Sequence, residues 1–291
     1  MLDSAAGRPH AEGMLIINYG AGLDSTGVLV GLHQRGVTPD VIIFSDTGAE
    51  QPHTYAYLDV MDAWCERVGF PKITRVKYAP VRAPYTTLEG KCLSNETLPS
   101  LAFGGHSCAL VFKRDVMNKF LKKDARVLSA IARGETITKM IGYDNGDRDR
   151  KRAEKSERSL ARLRAKKLSA ETWEAHTCEF RYPLIEWGWD RDRLAQEIEA
   201  AGLPVPQKSS CYFCPAMKLD EIVDLKRKHL PLFERAIRIE QGARDGRNGL
   251  RGTLGLGRKF AWEWLADATT VDEAREALRA HGAKDTHQAR P

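Results

Sequence analysis

No stretch of this chain approaches the roughly 18 consecutive apolar residues that a membrane-crossing helix requires, so no membrane span is expected. The opening residues, Met1 to Gly13, are small and polar and carry no apolar signal core, which argues against secretion and for a cytoplasmic protein. No G-x-x-x-x-G-K-S/T occurs, excluding a Walker-type NTPase, and no G-x-G-x-x-G follows the first apolar run, which argues against a dinucleotide-binding fold. No internal repeat is visible. Cysteines are few, six in 291 residues. In a reducing compartment they read as metal-binding or redox-active rather than as a disulfide framework.

What is present is enough apolar material, 42% of the residues, to bury a large core, as one elaborated α/β domain or a domain with a smaller appendage. Short apolar runs read as strands at 14–18, 40–46, 72–78, 136–143 and 179–184. Between them lie helical patterns: Val28, Leu29 and Leu32; Tyr57, Met61, Trp64 and Val68; and the stretch from Cys108 to about Lys123. From Leu219 the pattern is helical throughout, and the tail beyond about His281 is polar. The alternation implies an α/β, Rossmann-like, mostly parallel sheet flanked by helices, with a helical C-terminal extension. The expected division is a flexible tail at 1–13, an α/β nucleotide-binding domain at 14–200, a helical region at 201–281 and a flexible tail at 282–291.

The run Tyr19-Gly20-Ala21-Gly22-Leu23-Asp24-Ser25-Thr26 leaves the first strand and opens the first helix. A glycine-containing turn there lets backbone N–H groups approach an anion, and the helix N-terminus adds partial positive charge. Ser25 can cap the helix or touch a phosphate, and a carboxylate as close as Asp24 makes sense when it binds a bridging Mg2+. Taken alone, the loop also reads, with less weight, as an ordinary strand-turn-helix. The second strand ends in Ser45-Asp46-Thr47-Gly48-Ala49-Glu50. Ligands of parallel sheets bind at the carboxyl ends of strands, so Asp46, Thr47 and Glu50 are expected to reach the crevice of the first loop.

Cysteine supplies a third constellation. Cys92 and Cys108 flank Leu98-Pro99-Ser100-Leu101-Ala102-Phe103-Gly104-Gly105, and Cys211 and Cys214 form Cys-Tyr-Phe-Cys-Pro, all in loop-like contexts. A C-x2-C turn presents two sulfurs to a metal and a distant pair can complete the set. Four free cysteines are the alternative. Cys65, on the second helix, and Cys178, just before a strand, read as small buried hydrophobes.

The first loop resembles the PP-loop of the adenine nucleotide alpha-hydrolase superfamily, usually S-G-G-x-D-S: Gly22, Asp24 and Ser25 match, and Gly20 and Ala21 replace the first Ser and Gly. With the F-S-D-T-G-A-E strand end and the four cysteines, the chain resembles the phosphoadenosine phosphosulfate (PAPS) reductase-like family, in its shorter form common in phages and mobile elements. The resemblance covers roughly Ile16 to Phe233. It implies Asp24, Ser25 and Asp46 as catalytic. It implies a nucleotide site of Tyr19 to Thr26, Asp46, Thr47, Glu50, Lys113, Gly142 and Arg148, with Arg150 a further anion ligand. Lys113 also reads as a solvated helix lysine. The implied cofactors are ATP, or PAPS, with Mg2+, and a 4Fe-4S cluster on Cys92, Cys108, Cys211 and Cys214, zinc being the alternative because S4 coordination suits both.

The activity so implied is ATP pyrophosphatase-type adenylation of an acceptor, coupled to sulfur or group transfer. The rival is sulfonucleotide reduction, but the family's reductases carry a nucleophilic cysteine in E-C-G-(L/I)-H, and no cysteine follows Cys214 here. Reduction would require an exposed, acidified Cys65 or Cys178. The third reading, a non-catalytic nucleotide-binding protein, draws on the altered Gly20 and Ala21. Residues 147–167 hold ten Lys or Arg against four Asp or Glu in a chain of net charge +6. Such a segment is either a solvated helix or a polyanion contact, so the admissible partners include a nucleic acid such as tRNA or DNA, and a further copy of the chain, but no membrane.

Overall fold

The structure is a computed structural model that describes residues 13–247 and 249–283. Apart from Gly13, Gly282 and Ala283, the tails expected at 1–13 and 282–291 lie outside the described residues. Five strands form one sheet: β1 (Met14–Asn18), β2 (Val41–Asp46), β3 (Thr74–Lys77), β4 (Ile137–Met140) and β5 (Cys178–Arg181), in the order β3-β2-β1-β4-β5. β1 lies at the centre and pairs in parallel with β2 and β4, and β4 with β5, with Ile16 opposite Val41 and Lys139. The α/β sheet flanked by helices expected from the sequence is therefore present.

The continuous apolar runs of β1 and β2 follow from burial on both faces. Leu15, Ile17, Ile42 and Phe44 point into a cluster with Val28, Leu29, Met61, Trp64 and Leu194. Their neighbours Met14, Ile16, Val41 and Ile43 point the other way, against Leu121, Val127 and Ala130. The period-two alternation of a strand thus serves two cores. Helix Leu23–Gln34 carries two glycines where it meets its neighbours. A methyl at Gly27 would lie 2.0 Å from Leu194 Cδ2, and one at Gly31 2.1 Å from the Trp187 ring.

The chain divides into two compact units. The first comprises the chain up to Ser45, Pro52–Val76 and Met117–Ser209, and contains the sheet core and helices Leu23–Gln34, Pro52–Val68, Asp147–Arg164 and Arg191–Ala200. The second comprises Asp46–Gln51, Lys77–Val116 and the chain from Ser210 on. Its core packs Phe112, Phe213, Phe233, Phe260 and Trp262 among helices Leu88–Ser94, Leu219–Lys228, Leu230–Asp245 and Val271–Ala280.

Three local expectations are corrected. The helix after Cys108 is broken into Ser107–Ala109, a π-turn at Leu110–Arg114, and Asp115–Leu121. The last strand stops at Arg181, because Pro183 has no N–H for a ladder and opens the short helix Pro183–Glu186 that contains Leu184. Cys92 lies on helix Leu88–Ser94 and Cys108 in the turn Ser107–Ala109 rather than in loops.

Glu240 organises the last part of the second unit. Fully buried, its carboxylate accepts hydrogen bonds from the backbone N–H groups of Leu256 (2.6 Å), Trp262 (3.0 Å) and Glu263 (3.2 Å). Glu240→Ala would strand three buried donors, and we expect it to cost about 3–5 kcal/mol of the second unit's stability, measured by urea unfolding followed through Trp262 fluorescence. A loss under about 1 kcal/mol would show that water satisfies the loop equally well.

Candidate functional site

In the first unit, the turn between β1 and helix Leu23–Gln34 holds the predicted loop. Ala21 adopts φ +54°, the left-handed region in which glycine is the default residue, so this position carries backbone strain of about 1 kcal/mol. Gly22 is the extended N-cap residue, and no side chain caps the first turn. Ser25 folds back instead: its Oγ accepts from the Gly22 N–H at 3.3 Å and lies 3.2 Å from the Gly22 carbonyl. The terminus therefore presents its first amides, and the positive end of its dipole, to an anion.

Not every residue of the run faces such an anion. Tyr19 and Thr26 are buried, and their hydroxyls lie 3.2 Å apart, so these side chains belong to the core and only the backbone at Tyr19 borders the loop. Gly142, after β4, is brought directly against the loop. A methyl there would lie 2.9 Å from the Asp24 carbonyl carbon and 3.0 Å from the Ser25 nitrogen. At Gly22, a methyl would lie 2.9 Å from Ser209 Oγ, which places this hydroxyl at the loop although nothing in the sequence singles it out.

The approach of Gly142 delivers two further carboxylates. Asp144 accepts from the Gly146 N–H at 2.8 Å, a tight turn that launches helix Asp147–Arg164, and the first turn of that helix carries Asp149. Asp24, Asp144 and Asp149 each place a carboxylate oxygen within 4.8 Å of the others, and among the described residues no other trio of acidic, His or Cys ligand atoms is so close. They line a cleft of about 460 Å³ together with Asp147, Asp190 and Asp192 and with Arg148, Arg152 and Arg191. Arg152 pairs with Asp149 at 2.7 Å and lies 4.3 Å over the Tyr143 ring. The exposed Arg191 stands 3.7 Å from both Asp24 and Asp144. Arg148 lines the same cleft as Asp24, whereas Arg150 pairs with Asp147 and is not among its lining residues. Burial pushes the Asp24 carboxyl up to about 6, with Arg191 opposing and Asp144 and Asp149 reinforcing the shift.

Asp46, Thr47, Glu50 and Lys113 lie in the second unit with the four cysteines. Asp46 is committed locally, accepting from the Gly48 N–H at 2.7 Å and pairing with Lys77 at 3.2 Å. The Thr47 hydroxyl lies 3.1 Å from Glu50 Oε1 and 3.3 Å from Cys211 Sγ. Glu50 and Cys211 form an antiparallel bridge, and Lys113 reaches Glu50 at 3.2 Å. Burial alone would lower the Lys113 ammonium, but the Glu50 carboxylate and the neighbouring Cys211 hold it above the usual lysine range. Lys113 is thus ion-paired beside the C-x2-C turn, with its side chain 39% exposed.

All four candidate metal-binding cysteines belong to, or pack against, one apolar cluster. Burial pushes the Cys92 thiol up to about 12, with Lys91 opposing and Cys108 reinforcing. Cys211 is likewise raised by burial and by Glu50, against the pull of Lys113. Tetrahedral zinc, at about 2.3 Å from each sulfur, needs sulfurs about 3.8 Å apart. No three of the four sulfurs come within 4.8 Å of one another.

No family model and no curated protein matches the chain. Among solved structures it is similar to the U34-tRNA thiolase NcsA from Methanococcus maripaludis with its 4Fe-4S cluster, at 15% sequence identity and a TM-score of 0.42, covering 92% of this chain and 82% of that one. A likeness of that degree carries no functional argument. No helix among the described residues is long and apolar enough to cross a membrane.

Three hard oxygen donors converging under two or three guanidinium groups suit a small divalent cation with an anionic ligand. Cation binding must displace the Asp24 proton, so Mn2+ affinity, followed by electron paramagnetic resonance, should be flat above about pH 6 and fall about tenfold per pH unit below it. The same raised carboxyl costs stability when ionised. The folded state holds the proton more tightly than the unfolded chain, so the cation-free protein should gain stability on acidification from about pH 6 towards 4, by at most about 3 kcal/mol. Asp24→Asn should accordingly melt higher at pH 7 while losing Mn2+. A variant that melts lower and binds Mn2+ as before would refute both assignments.

Proposed function

We propose that the chain is a PP-loop enzyme, akin to the PAPS reductase-like proteins, in which the first unit binds ATP with Mg2+ and adenylates an acceptor with release of pyrophosphate. The observation that carries this reading is the helix terminus at Gly22, left without a side-chain cap and held by the Gly142 approach against three carboxylates, in an acid-rich cleft that three arginines also line. In it, the loop amides hold phosphate oxygens, Ser25 fixes the turn, and Arg148, Arg152 and Arg191 offset charge on the phosphates. Asp24, Asp144 and Asp149 would hold Mg2+, which supplies neutralisation of phosphate charge. An acceptor oxygen attacks the α-phosphorus, the bond to the bridging oxygen breaks, and pyrophosphate leaves with the bonding pair. Such catalysis rests on positioning and preorganised charge.

The second unit, on this reading, carries a 4Fe-4S cluster on Cys92, Cys108, Cys211 and Cys214, in keeping with free thiols in a reducing cytoplasm. The cluster would supply a site for holding or delivering sulfur after adenylation. Sulfonucleotide reduction is disfavoured by the two remaining cysteines. Cys65 and Cys178 are fully buried, and burial lifts their thiols to about 12 and about 11, the reverse of an activated nucleophile. The non-catalytic reading is disfavoured by Asp24, whose partial burial beside two other carboxylates an inert scaffold would gain nothing by keeping.

Anaerobically purified protein should contain iron and acid-labile sulfide in equal amounts and release pyrophosphate from ATP. Asp24→Asn should lower that release about 10²–10³-fold without loss of iron, and Cys211→Ser should lose iron. Adenosine 3',5'-bisphosphate formed from PAPS, with no pyrophosphate from ATP, would replace adenylation by reduction. Nucleotide binding without either product would leave the non-catalytic reading standing.

A further inference from the structure

Helix Asp147–Arg164 turns one side inward, with Asp149, Ala153 and Leu160 buried in the first unit. On the other side, Arg148, Lys151, Lys155, Arg158 and Arg162 recur at intervals of three and four residues, all of them exposed. At 100° per residue these five fall within a sector of about 80°, and they extend over about 21 Å of helix. Of the acids on this helix, Asp147 pairs with Arg150, Asp149 with Arg152, and Glu157 with the Tyr182 hydroxyl at 3.0 Å, while the exposed Glu154 lies one turn from both Lys151 and Arg158. Among the described residues none of the five basic side chains forms an ion pair. Like charges three and four residues apart disfavour the helix that carries them, so repulsion along the stripe works against the helix.

We infer that Arg148, Lys151, Lys155, Arg158 and Arg162 form a docking surface for the phosphate backbone of a nucleic acid, which the stripe leads into the cleft at Asp24. Over the length of the stripe one strand of a duplex presents about six phosphates, matching five cations in a row. Arg148 belongs both to the stripe and to the cleft lining, so the two surfaces are continuous. An anionic membrane fits less well, because an interfacial helix must bury its own apolar face in lipid, and here Ala153 and Leu160 are already packed inside the protein. The backbone contact specifies no sequence and distinguishes neither DNA nor RNA. That the bound strand is the acceptor rests on the adenylation reading above. Docking itself is independent of nucleotide.

Fluorescence anisotropy with a labelled DNA duplex and a labelled tRNA, in the absence of nucleotide, tests the surface. Binding should fall with a log–log salt slope of about −4, or roughly 10²-fold between 50 and 200 mM salt. The combined variant Lys151→Ala, Lys155→Ala, Arg158→Ala and Arg162→Ala should lose most of that slope, about one unit per residue. Its melting temperature and its Mn2+ affinity should be unchanged. Absence of binding at 50 mM salt, an unaltered slope in the variant, or binding to phosphatidylserine vesicles but to neither nucleic acid would overturn the inference. Docking that persists in a protein without pyrophosphate release would refute the adenylation reading alone.

Discussion

The close approach of Gly142 to the backbone of Asp24 and Ser25 is the constraint on which the first unit's site depends. Parallel pairing of β4 with β1 brings the two strand ends side by side, but pairing alone does not set how near the following loops come. That distance is set by a missing side chain: with any Cβ at position 142 the chain would have to swing away from the loop. Asp144 follows two residues later and Asp149 five residues after that, in the first turn of the next helix. The separation of three carboxylates is therefore inherited from one glycine contact and from the Asp144–Gly146 turn. The same contact holds the N-terminus of helix Leu23–Gln34 in place without a capping side chain, whose oxygen would occupy the position of an anionic ligand.

Holding three carboxylates together is unfavourable, and the fold offsets this only in part. Asp149 has a close partner in Arg152, whereas Asp24 and Asp144 share Arg191 at a distance where an exposed guanidinium is well screened. Had the fold served stability alone, a closer pair at Asp24 or an apolar residue there would have served better. The incomplete neutralisation and the strained φ at Ala21 are what the proposed nucleotide site would require of this loop. The second unit shows a parallel case in the thiols. Cys92 and Cys211 are held where ionisation is costly, and binding of a metal centre by thiolates would supply the compensating charge, coupling cofactor loading to the order of that unit.

Much of this was legible because the informative residues lie in local patterns. The apolar runs at 14–18 and 41–46, the glycine-bearing turn before Asp24 and the C-x2-C at Cys211 each fit within a dozen residues, and the five strands stand close to where alternation placed them. Gly142 and Arg148 drew notice in the sequence because they follow the fourth strand, Gly142 two residues after it and Arg148 at the start of the next helix. Contacts between distant segments were not legible. Arg191 and Ser209 reach the loop from far along the chain, and no spacing rule links them to Asp24. Asp149 looked like one more charge in a basic helix because its burial depends on the rotation of that helix against the sheet. Tyr19 and Thr26 were read as part of the loop since they are contiguous with it, although the last residue of a strand exit and the fourth of a helix both point inward here.

The basic helix shows how the same pattern acquires a different meaning once one face is fixed. Ten cations over twenty-one residues are, as composition, a solvated segment. Anchoring Asp149, Ala153 and Leu160 inside the unit removes the freedom to average those charges over all directions, and it leaves Glu154 and Glu157 off the line of the outward stripe. A flexible segment of equal charge would bind a polyanion only after losing conformational entropy on contact, whereas side chains on an anchored helix lose little beyond their own rotamers. Preorganisation of this kind favours an extended, regularly charged ligand over a compact one, because a single phosphate would use one or two of the five groups. The geometry of the stripe, more than its net charge, therefore selects a polymer as its ligand.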